Sequence, residues 1–475
     1  MVDVLLIHPS YALLGGKDNL RGKESLTASL GLAYLAAYLE SKQISVKVLD
    51  LRIGQSNPGK LVNILDEEKP SVVGLTAYTE DVNAALATAS LVKETDQEIY
   101  VVIGGPHSTA LPIDTLNACP DLDAVVIGEG EITLHELADA ILNNGDVSGI
   151  QGLAVRVNNT PILTKSRPPI DDLDILPFPA WSLFDLEKYS GLLYASLSRG
   201  CPYQCYFCFG RYLGRTRFRQ PKNVVDEIEH NMHRFNAKRI QFTDATLTLD
   251  EKRTIELCNE IIRRGINKKI NWYGDTRADR VNAKLFKLFR RAGCRSLIFG
   301  IESGDESLLK DVIKKGETKE QMKTAVKLAK EANIETRCHF IIGHAFETPQ
   351  SIQKTINFAK ELDPDVISFG LMSPLPGAEI SNLADNRIGG LKMLHNDWSK
   401  YNQLNYDCME LEDISLEQLK AWQSKAYLQF YSSKPLKAAK LLFGQQGYNL
   451  KNLPSLVMYV IRNLIGRRNR QRKLR

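Results

Sequence analysis

The sequence predicts an α/β protein with an N-terminal parallel sheet, a second series of strand–helix units and a mainly helical C-terminal region. Three observations support this fold class. Short apolar runs alternate with helical patterns from residue 2 to about 145, a second alternation begins at Tyr194, and the pattern changes past residue 375. Strands that alternate with helices form parallel sheets, because each crossover returns the chain to the same edge.

The first series contains five predicted strands and three predicted helices. The strands are short apolar runs, and the helices carry apolar residues at helical spacing. The strands lie at 4–7, 46–49, 71–75, 100–103 and 124–127, and the helices at 30–39, 82–92 and 133–142. This order is typical of a doubly wound sheet, in which ligands bind at the carboxyl ends of the strands.

Glycine or proline follows several of these strands at the expected ligand edge, namely at Pro9, Gly104-Gly105-Pro106 and Gly128-Glu129-Gly130. Beyond the series, residues 150–165 predict a hairpin that turns at Asn158-Asn159. Residues 167–181 are rich in proline and acidic residues, which indicates a linker.

The second series has six predicted strands, separated by helical patterns. They lie at 194–197, 239–242, 269–273, 296–299, 336–342 and 366–369. Six units are too few for a full eight-fold barrel. We therefore expect a partial, open barrel.

Composition and charge exclude several classes of protein. The chain has 475 residues, of which 43% are hydrophobic and 25% charged, and this balance is that of a globular protein. A net charge of +5 is small for this length, so we expect no nucleic-acid partner. We find no signal peptide and no apolar run long enough to span a membrane, which predicts a cytoplasmic location.

The chain beyond residue 377 is predicted to be mainly helical, with helices at 416–431, 435–443 and 453–464. Residues 467–475 hold five arginines and one lysine. An apolar helical face followed by a basic end is compatible with peripheral contact to an anionic membrane, and so with a lipid-like substrate. The alternative is a helix packed on the barrel with a solvated basic end.

Three of the eight cysteines lie within eight residues, directly after the first strand of the second series. Cys201, Cys205 and Cys208 have the spacing C-x3-C-x2-C. A zinc site would favour a second pair of ligands, and no second C-x2-C follows. Four-iron clusters prefer cysteine thiolates. Three protein ligands leave one iron open to a small molecule, so the loop predicts a [4Fe–4S] site.

This loop resembles the CxxxCxΦC motif of the radical SAM superfamily, with Phe207 as the aromatic residue. The resemblance implies that the cluster binds and cleaves S-adenosylmethionine (SAM), and that Phe207 lies near the adenine. It also implies SAM contacts by Asp244, which follows the second strand, and by Gly300, Glu302 and Ser303, which end the fourth.

One segment departs from the pattern that is common in the radical SAM subfamily that this chain resembles. Residues 343–348 read Gly-His-Ala-Phe-Glu-Thr, where the subfamily commonly has Gly-x-Pro-Gly-Glu-Thr. His344 and Phe346 are expected either to alter the substrate mouth or to be substitutions without consequence.

The two series together resemble the cobalamin-binding radical SAM class, which includes class B methylases and anaerobic tetrapyrrole cyclases. The resemblance covers roughly residues 1–376. It implies a flavodoxin/Rossmann-like cobalamin domain at 1–148, a hairpin and linker at 149–190, and a partial (β/α)6 radical SAM barrel at 191–376. The region 377–475 follows, mainly helical and with the basic tail.

The first strand is not followed by the Asp-x-His-x-x-Gly loop that supplies a cobalt ligand in many cobalamin proteins. We therefore expect cobalt without a protein histidine below it. His107 is expected to touch the corrin periphery or to be an ordinary loop residue. The predicted cobalamin contacts are Leu13, Leu14, Gly104, Gly105, His107, Ser108, Gly128, Glu129 and Gly130.

The resemblance leaves more than one function open. The first is methyl transfer to an unactivated carbon through a 5′-deoxyadenosyl radical and methylcobalamin. The second is oxidative ring formation on a tetrapyrrole or lipid-like substrate. A non-enzymatic cobalamin or Fe–S sensor would need an output domain, and none is visible. Methylthiolation would need three more N-terminal cysteines, and only Cys119 lies in the first 200 residues.

The expected partners are a small-molecule or lipid-like substrate and an electron donor such as flavodoxin or ferredoxin. The scattered cysteines have no metal spacing and are expected to be buried small hydrophobic residues. Cys338 lies in the fifth predicted strand of the second series. It is the one scattered cysteine that we consider as a residue facing the barrel lumen.

Overall fold

Two parallel sheets covered by helices form the framework of the molecule. The computed structural model describes residues 1–14, 26–53, 58–210, 214–401 and 407–438. Within these ranges the chain forms a seven-stranded sheet, a six-stranded sheet and two short two-stranded ribbons. The α/β fold class predicted from the sequence is confirmed.

The N-terminal sheet has the strand order β2-β1-β3-β4-β5-β6-β7, and its first five strands are parallel. All five residues of β1, an interior strand, are buried, as is typical of a parallel strand covered on both faces. Its strands are β1 Val4–His8, β2 Val46–Asp50, β3 Val72–Thr76, β4 Tyr100–Gly104, β5 Ala124–Val126, β6 Leu153–Val157 and β7 Thr160–Leu163. Its helices are α1 Leu30–Ser41, α2 Pro58–Glu68, α3 Val82–Thr95, α4 Pro106–Ala110, α5 Pro112–Ala118 and α6 Gly130–Leu142.

The predicted hairpin is present, and it extends the N-terminal sheet. Asn158 and Asn159 both have positive φ, 50° and 61°, as a two-residue type I′ turn requires. β6 pairs antiparallel with β5, so the hairpin is continuous with the parallel strands. The linker that follows packs Ile170, Leu173 and Leu176 against tyrosines of α1.

The second sheet is the partial barrel. Its strand order is β8-β11-β12-β13-β14-β15, all parallel, with β8 and β15 at the two edges. Its strands are β8 Leu192–Ala195, β11 Arg239–Phe242, β12 Asn271–Thr276, β13 Cys294–Glu302, β14 Glu335–Ile342 and β15 Val366–Leu371. Its helices are α7 Pro221–Phe235, α8 Glu251–Arg263, α9 Ala283–Arg291, α10 Lys319–Glu331 and α11 Pro349–Leu362. The six predicted strands of this unit are confirmed.

A two-stranded ribbon, β9 Ser198–Arg199 with β10 Arg217–Phe218, flanks the cysteine loop. After the barrel come α12 Glu379–Asp385, the ribbon β16 Leu391–Met393 with β17 Met409–Leu411, and α13 Leu416–Ser433. The sequence predicted α13 but not the ribbon, whose three-residue strands are too short to show a period. The predicted helix at 453–464 and the basic end at 467–475 lie outside the described residues.

None of the helices in the described ranges is long and apolar enough to cross a bilayer. Two large hydrophobic cores lie within these ranges, in addition to the small cluster between the linker and α1. One runs through the barrel and along one face of the N-terminal sheet, and the other fills the opposite face of that sheet.

Candidate active site

The cysteine loop leaves the carboxyl end of β8 and is bounded by the ribbon β9–β10. Cys201 and Cys205 are half-buried and Cys208 is exposed. Gly200 opens the loop at φ 95°, and a Cβ there would lie 2.6 Å from the carbonyl oxygen of Arg215, so only glycine fits. The Cys208 N–H donates to the Cys205 carbonyl at 2.9 Å, which closes a tight turn between these two cysteines.

The protein surroundings of these cysteines favour the neutral thiol over the thiolate that binds a metal. Burial raises the pKa of Cys205 to about 11, with the charge of Lys315 opposing and that of Cys208 adding to the rise. Although the Cys208 side chain reaches the surface, the protein packed around its sulfur also raises the pKa of this thiol, and the hydrogen bond that the Gly210 N–H donates to the sulfur at 3.3 Å limits the rise. Iron binding supplies the positive charge that displaces the protons.

Three thiols on one loop fit a cluster donor set. Within the described ranges, no three His, Cys, Asp or Glu side chains are grouped closely enough for a single metal ion. The cysteine ligands of a [4Fe–4S] cluster bind different iron atoms.

Aromatic side chains of the loop anchor it to the end of β14. The ring of Phe207 is 6.1 Å from His344, in an edge contact. His344 is fully buried, and its Nδ1 lies 2.9 Å from the Tyr206 hydroxyl. Phe346 has an exposed side chain (60%). His344 therefore lies under the loop, whereas Phe346 is at the surface.

Asp244 lies beneath the start of the cysteine loop. It is 2% exposed, and its carboxylate accepts hydrogen bonds from the Leu197 N–H at 3.0 Å and the Ser198 hydroxyl at 2.5 Å. Burial raises its pKa to about 6, and these hydrogen bonds limit the rise. In this position Asp244 holds the backbone that leads to Cys201.

The end of β13 is shaped around the side chain of Glu302. A Cβ at Gly300 would overlap with the Glu302 carboxylate and lie 2.8 Å from Lys315 Nζ. Glu302 itself has φ 67°, beside a break in the β13–β14 register. Ser303 is fully buried and its hydroxyl lies 3.1 Å from that of Thr355 on α11. Gly300 and Glu302 therefore lie beside Lys315 at the carboxyl end of β13, whereas Ser303 packs against α11.

Lys315 is a candidate site residue that sequence reasoning missed. Its ammonium lies 3.1 Å from both Glu302 and Glu317 and also donates to the Gly300 carbonyl. Its charge acts on Cys205, which places it near the cluster loop. Lys315 lies in an irregular segment that matches no sequence motif, so the sequence contains no signal for it. What marks it as a candidate is its burial in the structure, since a lysine with only 6% exposure is unusual.

Arg277, after β12, ties this lysine segment to the cysteine loop. Its guanidinium stacks 3.7 Å from the centre of the Tyr203 ring and donates to the Lys315 carbonyl at 2.7 Å. A bidentate pair with Asp279 fixes its orientation. Tyr203 lies between Cys201 and Cys205, so Arg277 helps hold the loop in place.

The barrel lumen receives polar side chains. Alternation along β12 and β14 turns Tyr273, Asp275 and His339 inward, and none of the three is fully buried. Burial raises the pKa of Asp275 to about 7, with the nearby charge of Asp244 adding to the rise. The position considered for Cys338 is wrong. It is fully buried and pairs in register with Phe299 and Ile367, so it faces the surrounding helices.

In the N-terminal domain, the predicted glycines lie at the carboxyl ends of β4 and β5. A Cβ at Gly105 (φ 110°) would lie 2.7 Å from the Ala77 carbonyl, so the backbones of two loops touch there. Gly128 (φ 82°) has open space around it, and its N–H donates to Thr109 at 3.0 Å. A Cβ at Gly104 would be 3.6 Å from Val126. At this edge, therefore, the backbone is closely packed around Gly105 and open to an approaching ligand around Gly128.

Two buried polar side chains follow Gly105. The Nε2 of His107 and the hydroxyl of Ser108 have no hydrogen-bond partner among the residues described. Burial lowers the pKa of His107 to about 4, and its Nδ1 lies 3.2 Å from Thr79. The ring of Trp398 packs edge-on over His107 at 4.4 Å. Unpartnered polar atoms at a sheet edge are compatible with a bound polar ligand.

Leu13 and Leu14 belong to a short 3-10 helix after β1, Tyr11–Leu14. Leu14 is 51% exposed, whereas Leu13 packs against the second core. Gly130 begins α6, and a Cβ there would lie 3.0 Å from Leu35. Tyr78, which sequence reasoning missed, follows β3 and is 60% exposed at the same edge.

Glu129 connects the two domains. Its carboxylate pairs with Arg199 at 3.0 Å and with Arg217 at 2.6 Å, both on the ribbon that flanks the cysteine loop. The carboxyl edge of the N-terminal sheet and the cysteine loop therefore lie against each other.

Comparison with known proteins agrees with this arrangement. Residues 195–359 match the radical SAM superfamily, and residues 22–138 match the B12 binding domain. An uncharacterized methyltransferase of Pyrococcus horikoshii is 34% identical over 431 residues, which cover 89% of this chain and 91% of the relative. The anaerobic magnesium-protoporphyrin IX monomethyl ester cyclase of Rubrivivax gelatinosus is 29% identical, over 93% of this chain and 81% of the relative.

The fold has solved counterparts. TsrM from Kitasatospora setae, a radical SAM methyltransferase, was determined with cobalamin and a [4Fe–4S] cluster bound. A second structure of it contains tryptophan substrate and a SAM analogue. This second structure superposes with a TM-score of 0.74 and 21% identity, over 99% of both chains.

The two family matches imply a [4Fe–4S] cluster, SAM and cobalamin as cofactors, and the residues above present a donor set and a sheet edge that fit them. The expected enzyme class is confirmed, and anaerobic cyclases are among the other relatives. The chain belongs to the family of cobalamin-dependent radical SAM methyltransferases.

Proposed function

We propose that Cys201, Cys205 and Cys208 hold the cluster and that the enzyme transfers a methyl group to an unactivated carbon of a small molecule. The observation that carries the proposal is the position of the cysteine loop, which lies between the barrel lumen and the open glycine edge of the N-terminal sheet. When bound, the cluster and SAM supply a 5′-deoxyadenosyl radical, and cobalamin supplies the methyl group.

For SAM, the proposed binding groups are the ion pair of Lys315 and Glu302 and the ring of Phe207. The methionyl end of SAM carries one carboxylate and one ammonium, so a lysine 3.1 Å from a glutamate matches it in charge. Gly300 leaves the space that this pair occupies. Asp244 and Ser303 support the same site from behind, through the loop backbone and α11.

For cobalamin, the proposed contacts are Gly104, Gly105 and Gly128, where backbone can approach the corrin, with Gly130 at the start of α6. His107 and Ser108 offer their unpartnered Nε2 and hydroxyl to polar groups of the corrin periphery. Leu13 and Leu14 offer apolar contacts after β1. We do not propose this histidine as a cobalt ligand, because the chain lacks the Asp-x-His-x-x-Gly loop that supplies one in many cobalamin proteins.

The lumen supports a small molecule with polar groups as the substrate. Asp275, His339 and Tyr273 project into the space where a substrate would meet the radical. Excluding water from this space protects the reactive intermediate. A flavodoxin or ferredoxin is the proposed electron donor. Membrane contact through the basic tail remains a proposal on residues outside the described ranges.

Ring formation is the second candidate. It is favoured by the cyclase relative, which aligns over 93% of this chain. Both candidates use the same three cofactors, so they differ in their products.

The proposal is tested by anaerobic reconstitution with iron, sulfide and hydroxocobalamin, followed by reaction with SAM and dithionite. We expect 5′-deoxyadenosine and S-adenosylhomocysteine together. Cys205→Ala should lose iron and 5′-deoxyadenosine, whereas Cys258→Ala, a change of a fully buried cysteine in α8, should keep both.

Three results would count against parts of this proposal. Formation of 5′-deoxyadenosine without S-adenosylhomocysteine would favour ring formation. Failure of cobalamin to co-elute would refute the assignment of the glycine edge. Full iron content in Cys205→Ala would refute the assignment of the cluster ligands.

A further inference from the structure

Two acids of the N-terminal domain and two arginines of the cysteine-loop ribbon form a cluster that we call the interdomain clamp: Glu129, Glu131, Arg199 and Arg217. Arg199 donates through Nη1 to Glu129 at 3.0 Å and through Nη2 to Glu131 at 2.7 Å. Arg217 donates to Glu129 at 2.6 Å. One guanidinium therefore bridges two carboxylates of the other domain, and the second reinforces one of them.

The clamp is largely removed from solvent. The side chains of Arg217 and Glu131 are 4% and 6% exposed, and that of Arg199 is 22% exposed. The Arg199 guanidinium also lies 5.0 Å from the centre of the Tyr34 ring on α1. Burial alone would raise the pKa of Glu129, but the hydrogen bond from Arg217 and the charge of Arg199 outweigh it and hold the pKa below its usual range.

The backbone of the linker completes the clamp. The Ile170 N–H donates to Glu129 at 2.7 Å, and its carbonyl accepts from Arg217 at 2.7 Å. Buried ion pairs of this kind add little net stability, because desolvation offsets the attraction, but their directional hydrogen bonds fix relative position.

The clamp is attached at the two points where position matters for the reaction. Arg199 is two residues before Cys201, and it pairs in register with Arg217 across the ribbon. Glu129 directly follows Gly128, whose surroundings are open. The connection from the ribbon of the cluster loop to the glycine edge thus runs through the guanidinium groups of Arg199 and Arg217, although Arg199 and Glu129 are 70 residues apart in sequence.

We propose that Arg199, Glu129 and Glu131 are positioning residues that set the distance between the cluster and the corrin. This inference rests on the proposed function, since it assumes that Gly128 and the cysteine loop face the two cofactors. A radical formed on one domain and a methyl group held by the other must reach the same carbon. An error of about 1 Å in such an arrangement is costly to the rate.

The test compares Glu131→Gln and Arg199→Lys with the wild type, all reconstituted with cluster and cobalamin. Glu131→Gln keeps the shape of the side chain and removes its charge, whereas Arg199→Lys keeps the charge and removes the bidentate fork. Asp171→Asn is the matched control, because it breaks another arginine–carboxylate pair, with Arg215, between the same linker and loop, and both side chains are exposed. The readouts are iron and cobalamin content and the cobalt-to-cluster distance distribution from pulsed electron paramagnetic resonance.

We expect both clamp variants to bind both cofactors while the distance distribution shifts or widens by about 1 Å. The control should match the wild type. An unchanged distribution in both clamp variants would overturn the inference. If Arg199→Lys fails to fold, Glu131→Gln alone decides between these outcomes. A wild type that binds the cluster but no cobalamin would instead refute the proposed function, and the inference with it.

Discussion

At position 346 the backbone is left-handed, with φ 62°, although the residue is phenylalanine. The resembling subfamily commonly has glycine there. A bulky side chain in this conformation costs about 1–2 kcal/mol, because its Cβ crowds the following carbonyl. The Phe346 N–H donates to the Gly389 carbonyl at 2.7 Å, which holds the strained turn in place.

We therefore expect Phe346→Gly to raise the free energy of unfolding by about 1 kcal/mol. The exposed ring (60%) loses little packing in the exchange. Urea denaturation followed by circular dichroism measures the change. Phe346→Leu keeps a Cβ and should show no gain, and a gain for leucine equal to that for glycine would contradict the strain argument.

A second residue-scale feature is the buried carboxyl group of Glu347. It accepts hydrogen bonds from the N–H groups of Gly343 and His344 at 2.5 and 3.1 Å. Burial nevertheless raises its pKa from 4.5 to about 8, and the two hydrogen bonds only limit the rise. The folded protein therefore binds this proton more tightly than the unfolded chain does.

This shift implies a pH dependence of stability. The contribution of Glu347 is fully present below pH about 4.5, declines as the pH rises, and is lost above about 8. We expect Glu347→Gln, which carries no titratable proton, to flatten the stability profile in this window. Denaturation midpoints across the window measure it. Glu320→Gln, at an exposed position on α10, should retain the slope, and an unchanged slope in Glu347→Gln would disprove the assignment.

At the scale of elements, α13 covers the edge of the barrel sheet. The sheet ends at β15, whose outer backbone groups would otherwise be open to pairing with another strand. The Phe369 N–H of β15 donates to the Tyr427 hydroxyl at 3.0 Å, and the Phe369 carbonyl accepts from Gln423 at 2.7 Å. A capping box formed by Ser415 and Gln418 fixes the start of α13, which carries both Gln423 and Tyr427.

Removing the Tyr427 hydroxyl tests whether α13 satisfies the backbone groups at the edge of β15. We expect Tyr427→Phe to lower the free energy of unfolding by about 1–3 kcal/mol, because it leaves the buried Phe369 N–H without a partner. Thermal denaturation of the apoprotein measures the loss. Ser424→Ala, which removes a hydrogen bond internal to α13, is the control, and an equal loss there would show that the effect is not due to the edge.

At the scale of the whole molecule, Trp398 joins the two hydrophobic cores. It packs against residues of both, and its ring covers His107 at the edge of the N-terminal sheet. A neighbouring hydrogen bond, from Asn83 of α3 to Asp397 at 3.0 Å, fastens the same turn. The segment after the barrel therefore returns to the cobalamin domain.

We expect Trp398→Ala to cost about 2–3 kcal/mol of stability, since a half-buried ring loses contacts in two cores. It should also lower cobalamin retention while iron content stays at the wild-type level. Absorption spectra and iron assays after gel filtration measure both. Trp422→Ala, on α13 away from this turn, should keep the cobalamin, and parallel loss of iron and cobalamin in Trp398→Ala would point to general unfolding instead.

Local sequence patterns were enough to predict the positions of the sheet strands along the chain, the cysteine loop and, through the family resemblance, the class of cofactors. Each of these is written in a local pattern: apolar runs of five residues, three cysteines within eight residues, or a glycine directly after a strand. The turn at Asn158-Asn159 was predictable for the same reason, since two adjacent residues set its geometry.

The partners of individual side chains, in contrast, depend on packing between elements that are far apart in the sequence. Lys315 meets Glu302 across 13 residues, Arg199 meets Glu129 across 70, and His344 meets Tyr206 across 138. Cys338 faces the helices because its register with Phe299 selects one side of the sheet. Such contacts depend on how separate elements pack, and a one-dimensional pattern carries the type of each element but not the distance between two of them.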